Sequence, residues 1–155
     1  NELVDKVIYL TQGKIHPDFM GIEIGLADKS VMRAIASTSG HSLKEVEKKY
    51  HLFGDLGSVA EDLLQNKGQI TLFSEQLTIE KVYDVLDSIA KSSGPGSLAL
   101  RLRFLNRLLA NSSPKEAKYI LRTATGKLRL GIADYTVLDA LAIAFTNDKG
   151  DRPKI

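Results

Sequence analysis

The chain has 155 residues, of which 43 % are hydrophobic and 26 % are charged, a composition typical of one globular domain rather than a disordered or fibrous protein. It contains no cysteine, which excludes disulfides, thiolate catalysis and cysteine-based zinc sites, and favours an intracellular protein of the cytoplasm or nucleoid. No apolar run reaches the roughly 20 residues of a membrane span, so we expect no membrane partner.

The formal net charge of +2 conceals two regions of opposite sign. Residues 91–131 contain nine Lys or Arg and one acid, Glu116, so this segment carries +8 and the rest of the chain −6. A basic block on amphipathic elements indicates a surface that meets a polyanion. Solvated helix faces without a partner are the alternative.

Local signals in the first half of the chain predict four helices. Residues 2–10 suit one or two helical turns, and Asp28 is a cap for a helix closed by Gly40. Two capping boxes, each beginning a short helix, follow: Ser42 with Glu45, and Ser58 with Glu61.

The second half continues the helical pattern. Thr78 begins a helix that ends at a Gly-Pro-Gly break, Ser97 caps the next, and Asp134 caps the last. Ser113, followed by Pro114 and Glu116, marks the clearest helix start in the chain. At 100° per residue, leucines form one face of the helix after Ser97 and arginines the other: Leu98, Leu102, Leu105 and Leu109 against Arg103 and Arg107. We predict an all-α fold, an irregular array of helices forming one domain over residues 1–146, with a polar tail at 147–155.

Candidate catalytic and metal-binding groups are sparse. His16, His41 and His51 are scattered, no His-x-x-x-His spacing occurs, and no cluster of carboxylates accompanies them. The sequence therefore predicts no catalytic residue and no metal site. A small helical hydrolase has no set of residues to support it.

Two glycine-containing stretches could bind phosphate. The loop ending in Gly96 and Ser97 precedes a helix that carries Arg101, so backbone N–H groups, a hydroxyl and a cation converge there. A plain helix-capping loop is the alternative.

The second stretch is the strip Gly126-Lys127-Leu128-Arg129-Leu130-Gly131. Alternation would bury the two leucines and hold Lys127 and Arg129 outward, although Gly126 could equally be a helix C-cap. Lys118 and Arg122 lie nearby in sequence and extend the basic surface. Aromatic residues do not interleave these cations, so binding to a duplex backbone is favoured over stacking on single strands.

The chain resembles the N-terminal DNA-binding domain of ATP-dependent DNA ligases of the archaeal and eukaryotic type. The resemblance extends in order over residues 21–29, 35–40, 54–57, 77–83, 94–97, 116–122 and 126–133. It implies an all-helical domain that lies against the minor groove on both sides of a nick in double-stranded DNA. It also implies DNA contacts at Gly96, Ser97, Arg101, Gly126, Lys127, Arg129 and Gly131.

A further implication concerns the segment Gln69-Ile70-Thr71-Leu72-Phe73. Archaeal ligases of this type carry a shortened sliding-clamp-binding motif here, which assigns clamp contacts to Gln69, Leu72 and Phe73. A helical protein-interaction module that binds a clamp through this segment is thus the alternative function. Equally, Leu72 and Phe73 could fold back into the core.

Ligases of this kind attach AMP to the lysine of a Lys-x-Asp-Gly motif, which this chain lacks. Lys149-Gly150-Asp151-Arg152 has arginine in place of the glycine. The resemblance implies that ATP and Mg²⁺ serve the parent enzyme in replication, repair and recombination, while this piece has no cofactor. We expect it to be inactive alone and to work with the remaining ligase domains.

Overall fold

A computed structural model describes residues 2–65, 76–128, 130 and 134–154. Within these ranges the chain forms helices and no strand, so the all-α prediction is confirmed. The α-helices are α1 (Glu2–Thr11), α2 (Asp28–Ser39), α3 (Leu43–Phe53), α4 (Leu56–Gln65), α5 (Ile79–Lys91), α6 (Ser97–Asn111), α7 (Pro114–Ala124) and α8 (Asp134–Thr146). Two 3₁₀ segments, Asp18–Met20 and Lys149–Lys154, complete the described elements.

Several helices begin where the sequence signals predict. Both Ser42 and Ser113 form complete capping boxes, in which the serine hydroxyl accepts from the N–H of the glutamate three residues later. That glutamate in turn accepts from the N–H of the serine. Thr78 caps α5 by accepting from the Lys81 N–H.

The predicted capping box at Ser58 is wrong. Asp55 takes its place, because its carboxylate accepts from both the N–H and the hydroxyl of Ser58, at 2.9 and 2.7 Å. The helix therefore begins three residues earlier than predicted, at Leu56, and leaves Glu61 available for another partner.

Three other predicted caps, among them Asp134 of α8, are the first residues of their helices rather than the residues before them. Gly96 occupies the N-cap position of α6 in a left-handed conformation, with φ 82°, and Ser97 is the first helical residue. Asp28 is the first residue of α2, after Ala27 at the N-cap. The Asp28 carboxylate is consequently free to contact other elements.

One hydrophobic core holds the first seven helices together. Helix α2 packs against α6 and α4, α5 lies on α6, and α1 lies on α5. Ile35, Val59, Leu86, Leu105 and Leu121 are fully buried between these helices. The predicted leucine face of α6 is confirmed toward its C-terminal half, but Leu98 is 48 % exposed because it lies in the first turn, beyond the packed helices.

The most extensive helix pair is α4 with α7. A Cβ placed on Gly57 would lie 2.6 Å from the Lys118 carbonyl oxygen and 3.0 Å from Cγ of Arg122. The backbones of the two helices can approach this closely only because residue 57 has no side chain.

Helix α8 packs chiefly against the 3₁₀ segment Lys149–Lys154. Asp139 of α8 joins the two through ion pairs with Lys149, at 2.9 Å, and with Arg152. Residues predicted as a polar tail are thus ordered against α8. Its apolar residues Tyr135, Ile143 and Phe145 remain exposed.

Candidate nucleic-acid interface

The end of α7 fixes the beginning of the basic strip. Gly126 has φ 67° and donates its N–H to the Thr123 carbonyl at 3.1 Å, while Lys127 donates to the Arg122 carbonyl at 2.8 Å. These two bonds form a Schellman motif, so Gly126 is the glycine that ends the helix. Of the two interpretations of Gly126, the C-cap is confirmed.

Lys127 turns toward the N-terminus of α2. Its Nζ donates to both carboxylate oxygens of Asp28, each at 2.9 Å, and lies 5.8 Å from the centroid of the Tyr50 ring. The Tyr50 hydroxyl donates to the same carboxylate at 2.9 Å. Hydrogen bonding to Asp28 raises the pKa of Lys127, and the bond from Lys127 lowers the pKa of Asp28.

Arg122 is held by the residue that caps α4. Its Nε and one terminal nitrogen donate to the same Oδ2 of Asp55, at 3.1 and 2.8 Å. Burial alone would raise the pKa of Asp55, but the hydrogen bonds from Arg122 and Ser58 outweigh it and lower that pKa to about 2. Asp55 therefore stays ionised and keeps Arg122 in place at any physiological pH.

Lys118 completes a row of three paired cations, because its Nζ lies 2.6 Å from the Glu61 carboxylate on α4. We call Lys118, Arg122 and Lys127 the α7 cations. All three are predicted DNA contacts, and the structure brings them together on α7 and the turn after it. Their acid partners, separated from them by 57 to 99 residues, could not be found from local sequence spacing.

The net charge around residues 91–131 is accordingly smaller in the folded structure than the count from the sequence. Asp28, Asp55 and Glu61 neutralise the α7 cations, and Asp87 pairs with Lys91 at 2.8 Å. Since all four acids lie outside residues 91–131, they reduce the local charge from +8 to about +4.

The strip itself departs from simple alternation. Leu128 is half-buried against Gly13, where an added Cβ would lie 3.3 Å from the Leu128 Cβ. Leu130 is 44 % exposed rather than buried, because α7 ends in a turn and no neighbouring strand covers it in the described part of the chain. Arg129 and Gly131 lie outside the described residues, so their DNA contacts stay predictions.

The other predicted phosphate site lies at the N-terminus of α6. Gly96 is exposed there, beside the half-buried Ser97. Arg101, one turn further on, donates from one terminal nitrogen to the carbonyls of Ile24 and Gly25. The Arg101 guanidinium thus holds the segment that leads into α2. Gly96 and Ser97, rather than Arg101, are the residues open to a ligand.

The segment between α1 and α2, residues 12–27, connects these two places; we call it the α1–α2 loop. Ten of its residues, on either side of the tip at Phe19 and Met20, line a cleft of about 450 Å³, whose other wall is Thr123, Thr125 and Gly126. Contacts to Leu128 at one end and to Arg101 at the other fix this loop between the strip and α6.

The clamp prediction falls on Gln69, Leu72 and Phe73, which lie outside the described residues, and it stays a prediction. Among the described residues, no three His, Asp or Glu side chains group as metal ligands. Nor does any helix of the described ranges have the length and apolar character needed to cross a membrane.

Comparison with known proteins agrees with this architecture. Residues 1–142 match the family described as the DNA ligase N terminus. The chain is 48 % identical to a DNA ligase 2 of Thermofilum pendens, covering 99 % of this chain and 27 % of that protein. It is 45 % identical to a DNA ligase of Nitrosopumilus maritimus, covering 97 % of this chain and 26 % of the relative.

A DNA ligase of Ignicoccus hospitalis is 46 % identical over 91 % of the chain and 25 % of its own length. The chain thus spans about a quarter of the length of these archaeal relatives. A match over residues 1–142, together with identities of this size, confirms the resemblance noted in the sequence. The chain belongs to the DNA ligase N-terminal family.

Proposed function

We propose that the chain is the DNA-binding part of an ATP-dependent DNA ligase and holds nicked duplex DNA through phosphate and minor-groove contacts. Nucleotidyl transfer, with ATP and Mg²⁺, belongs in this proposal to the rest of a longer protein. The observation that carries it is the row of α7 cations, together with the exposed Gly96 at the N-terminus of α6, in a chain of the DNA ligase N-terminal family.

The α7 cations can still bind a phosphate while they are paired with their acid partners. A lysine ammonium has three donors, and Lys127 uses two of them on Asp28, while its side chain stays 42 % exposed. Arg122 likewise has five N–H donors and gives two of them to Asp55. Their carboxylate partners hold each side chain in one geometry, which reduces the entropy lost when a phosphate binds.

Fluorescence anisotropy with a nicked duplex and its intact counterpart, over a salt series, tests this proposal. The logarithm of the binding constant should fall linearly with the logarithm of salt concentration, by about 0.9 per phosphate neutralised. A module that binds only protein should show little affinity for either duplex and little response to salt.

Lys127→Gln should weaken binding to all duplex sequences alike and lower the salt slope by about one unit. Lys115→Gln is the matched control, because Lys115 is an exposed lysine in the first turn of the same helix. Equal losses from both variants would refute a localised phosphate contact. Absence of duplex binding at low salt, from a folded sample, would refute the proposed function.

A further inference from the structure

Phe19 and Met20 form an exposed apolar tip on the α1–α2 loop, and neither has a part in the proposed phosphate contacts. Phe19 is 89 % exposed, the most exposed of the large apolar residues in the described ranges, and Met20 beside it is 48 % exposed. A single exposed apolar side chain is ordinary, so exposure alone does not indicate a ligand. The hydrogen bonds that hold this tip and its position in the fold are what indicate a ligand.

The tip is held by a compact 3₁₀ turn. Met20 donates its N–H to the Pro17 carbonyl at 3.0 Å, and Gly21 donates to the Asp18 carbonyl at 3.1 Å. Gly21 reverses the chain with φ 62°, and Lys14 pairs with Asp18 at 2.7 Å. Phe19 and Met20 therefore project from a turn whose backbone bonds are already made.

The base of the loop is anchored in the protein. Ile15 is only 2 % exposed and accepts a hydrogen bond at its carbonyl from the Tyr83 hydroxyl. Beside it, His16 Nε2 lies 2.5 Å from the Asp87 carboxylate on α5. Binding through the tip would thus cost little ordering of the loop.

Position connects the tip to the proposed DNA surface. Gly13, five residues before Asp18, packs on Leu128 of the basic strip, and Ile24 and Gly25, after the tip, are held by Arg101 on α6. The tip consequently lies on a loop whose two ends are fixed to the two elements proposed to contact phosphates.

We propose that Phe19, supported by Met20, is an apolar wedge that enters the minor groove of the bound duplex at the nick. This inference rests on the proposed function. Proteins that bind the minor groove insert Phe, Met and other apolar side chains between base steps and partly unstack them. A nick interrupts one strand, so the step beside it unstacks more easily than one in intact DNA.

Phe19→Ala tests the wedge in the same anisotropy assay. Since contact between an aromatic ring and a base is worth about 1–3 kcal/mol, affinity for nicked duplex should fall about 5- to 150-fold. The salt slope should stay unchanged, because phenylalanine neutralises no phosphate. Phe145→Ala is the matched control: it removes a ring that is 66 % exposed on α8, and should leave affinity unchanged.

A 2-aminopurine base placed beside the nick gives an independent readout. Its fluorescence should rise when the wild-type chain binds, and remain low with Phe19→Ala at saturating concentration. Phe19→Leu should restore part of both signals, because leucine is also an apolar wedge.

The outcomes separate the two proposals. Salt-dependent duplex binding by wild type that Phe19→Ala leaves unchanged would overturn the wedge and retain the proposed function, leaving the tip to a protein contact. Equal losses from Phe19→Ala and Phe145→Ala would also overturn the wedge. Failure of the wild-type chain to bind any duplex would instead refute the proposed function.

Discussion

The α4–α7 pair and the α8 segment differ in how they bury their apolar residues. Between α4 and α7, Val59 and Leu121 are fully buried, and Gly57 lets the backbones approach closely. In α8, Ala142 is fully buried, while Phe145 and Ile143 are 66 % and 50 % exposed. Both regions are rich in apolar residues, so composition alone does not decide which one belongs to a core.

Ion pairs have different surroundings in the two regions. Arg122 and Asp55 flank Gly57 at the α4–α7 crossing, with side chains 29 % and 23 % exposed. In the α8 segment, Asp139 is 18 % exposed, but its partner Lys149 is 63 % exposed. A pair at a tight crossing is less screened by water, so it influences both stability and the position of the Arg122 side chain.

Gly57→Ala should have the largest effect on stability. The new methyl carbon would lie 2.6 Å from a backbone oxygen of α7, so the two helices must separate. Overpacking of this kind costs about 1–3 kcal/mol of unfolding free energy, and a clash with backbone belongs at the upper end. Urea denaturation measures the loss, and an unchanged midpoint would show that the helices are not closely packed at residue 57.

Asp55→Asn isolates the ion pair, because asparagine caps a helix as well as aspartate does. We expect a loss of about 1–2 kcal/mol at neutral pH, after allowance for solvent screening. The pKa of Asp55 is about 2 in the folded chain, below its ordinary 3.8. Its contribution is therefore complete above pH 3.8 and disappears as the pH falls through 2.

Thermal unfolding of both proteins between pH 2 and pH 7 measures this difference. The difference in unfolding temperature between wild type and Asp55→Asn should decrease as the pH decreases. A gap that stays constant down to pH 2 would assign the loss to the cap rather than to Arg122.

Phe145→Ala should have the smallest effect, within about 0.5 kcal/mol, because the ring is already largely in water. Phe104→Ala is the contrasting variant. Because Phe104 packs against the hydrophobic core, this substitution should lower the free energy of unfolding by clearly more. Equal losses in a chemical denaturation experiment would mean that α8 is as tightly packed as the rest of the domain.

Local chemistry made much of this fold predictable. Capping boxes at Ser42 and Ser113 depend on residues three apart, and both helices begin there. The capping prediction at Ser58 was wrong because Asp55, three residues earlier, is a competing cap. Asp55 receives hydrogen bonds from both Ser58 and Arg122. The second of these donors is 67 residues away, so sequence spacing does not reveal it.

The sequence identifies candidate cations for the site, but not the acids that pair with them in the fold. Charge density indicated Lys118, Arg122 and Lys127, and the resemblance indicated Lys127, but neither shows that each cation has an acid partner. Asp28 and Asp55 do fall within segments that carry the family resemblance, and this is the one signal that could have marked them. Phe19 had no such signal, because only tertiary structure shows that its ring is exposed.

Under the proposed function, the acid partners of the α7 cations also affect the rate at which the domain encounters DNA. Long-range attraction between a protein and a polyanion follows the uncompensated charge, and Asp28, Asp55 and Glu61 reduce it. Encounter with undamaged duplex is therefore less strongly steered than the count of basic residues suggests. In that proposal, discrimination rests on the lifetime of the complex, so the domain leaves intact DNA quickly and remains where the contacts are complete.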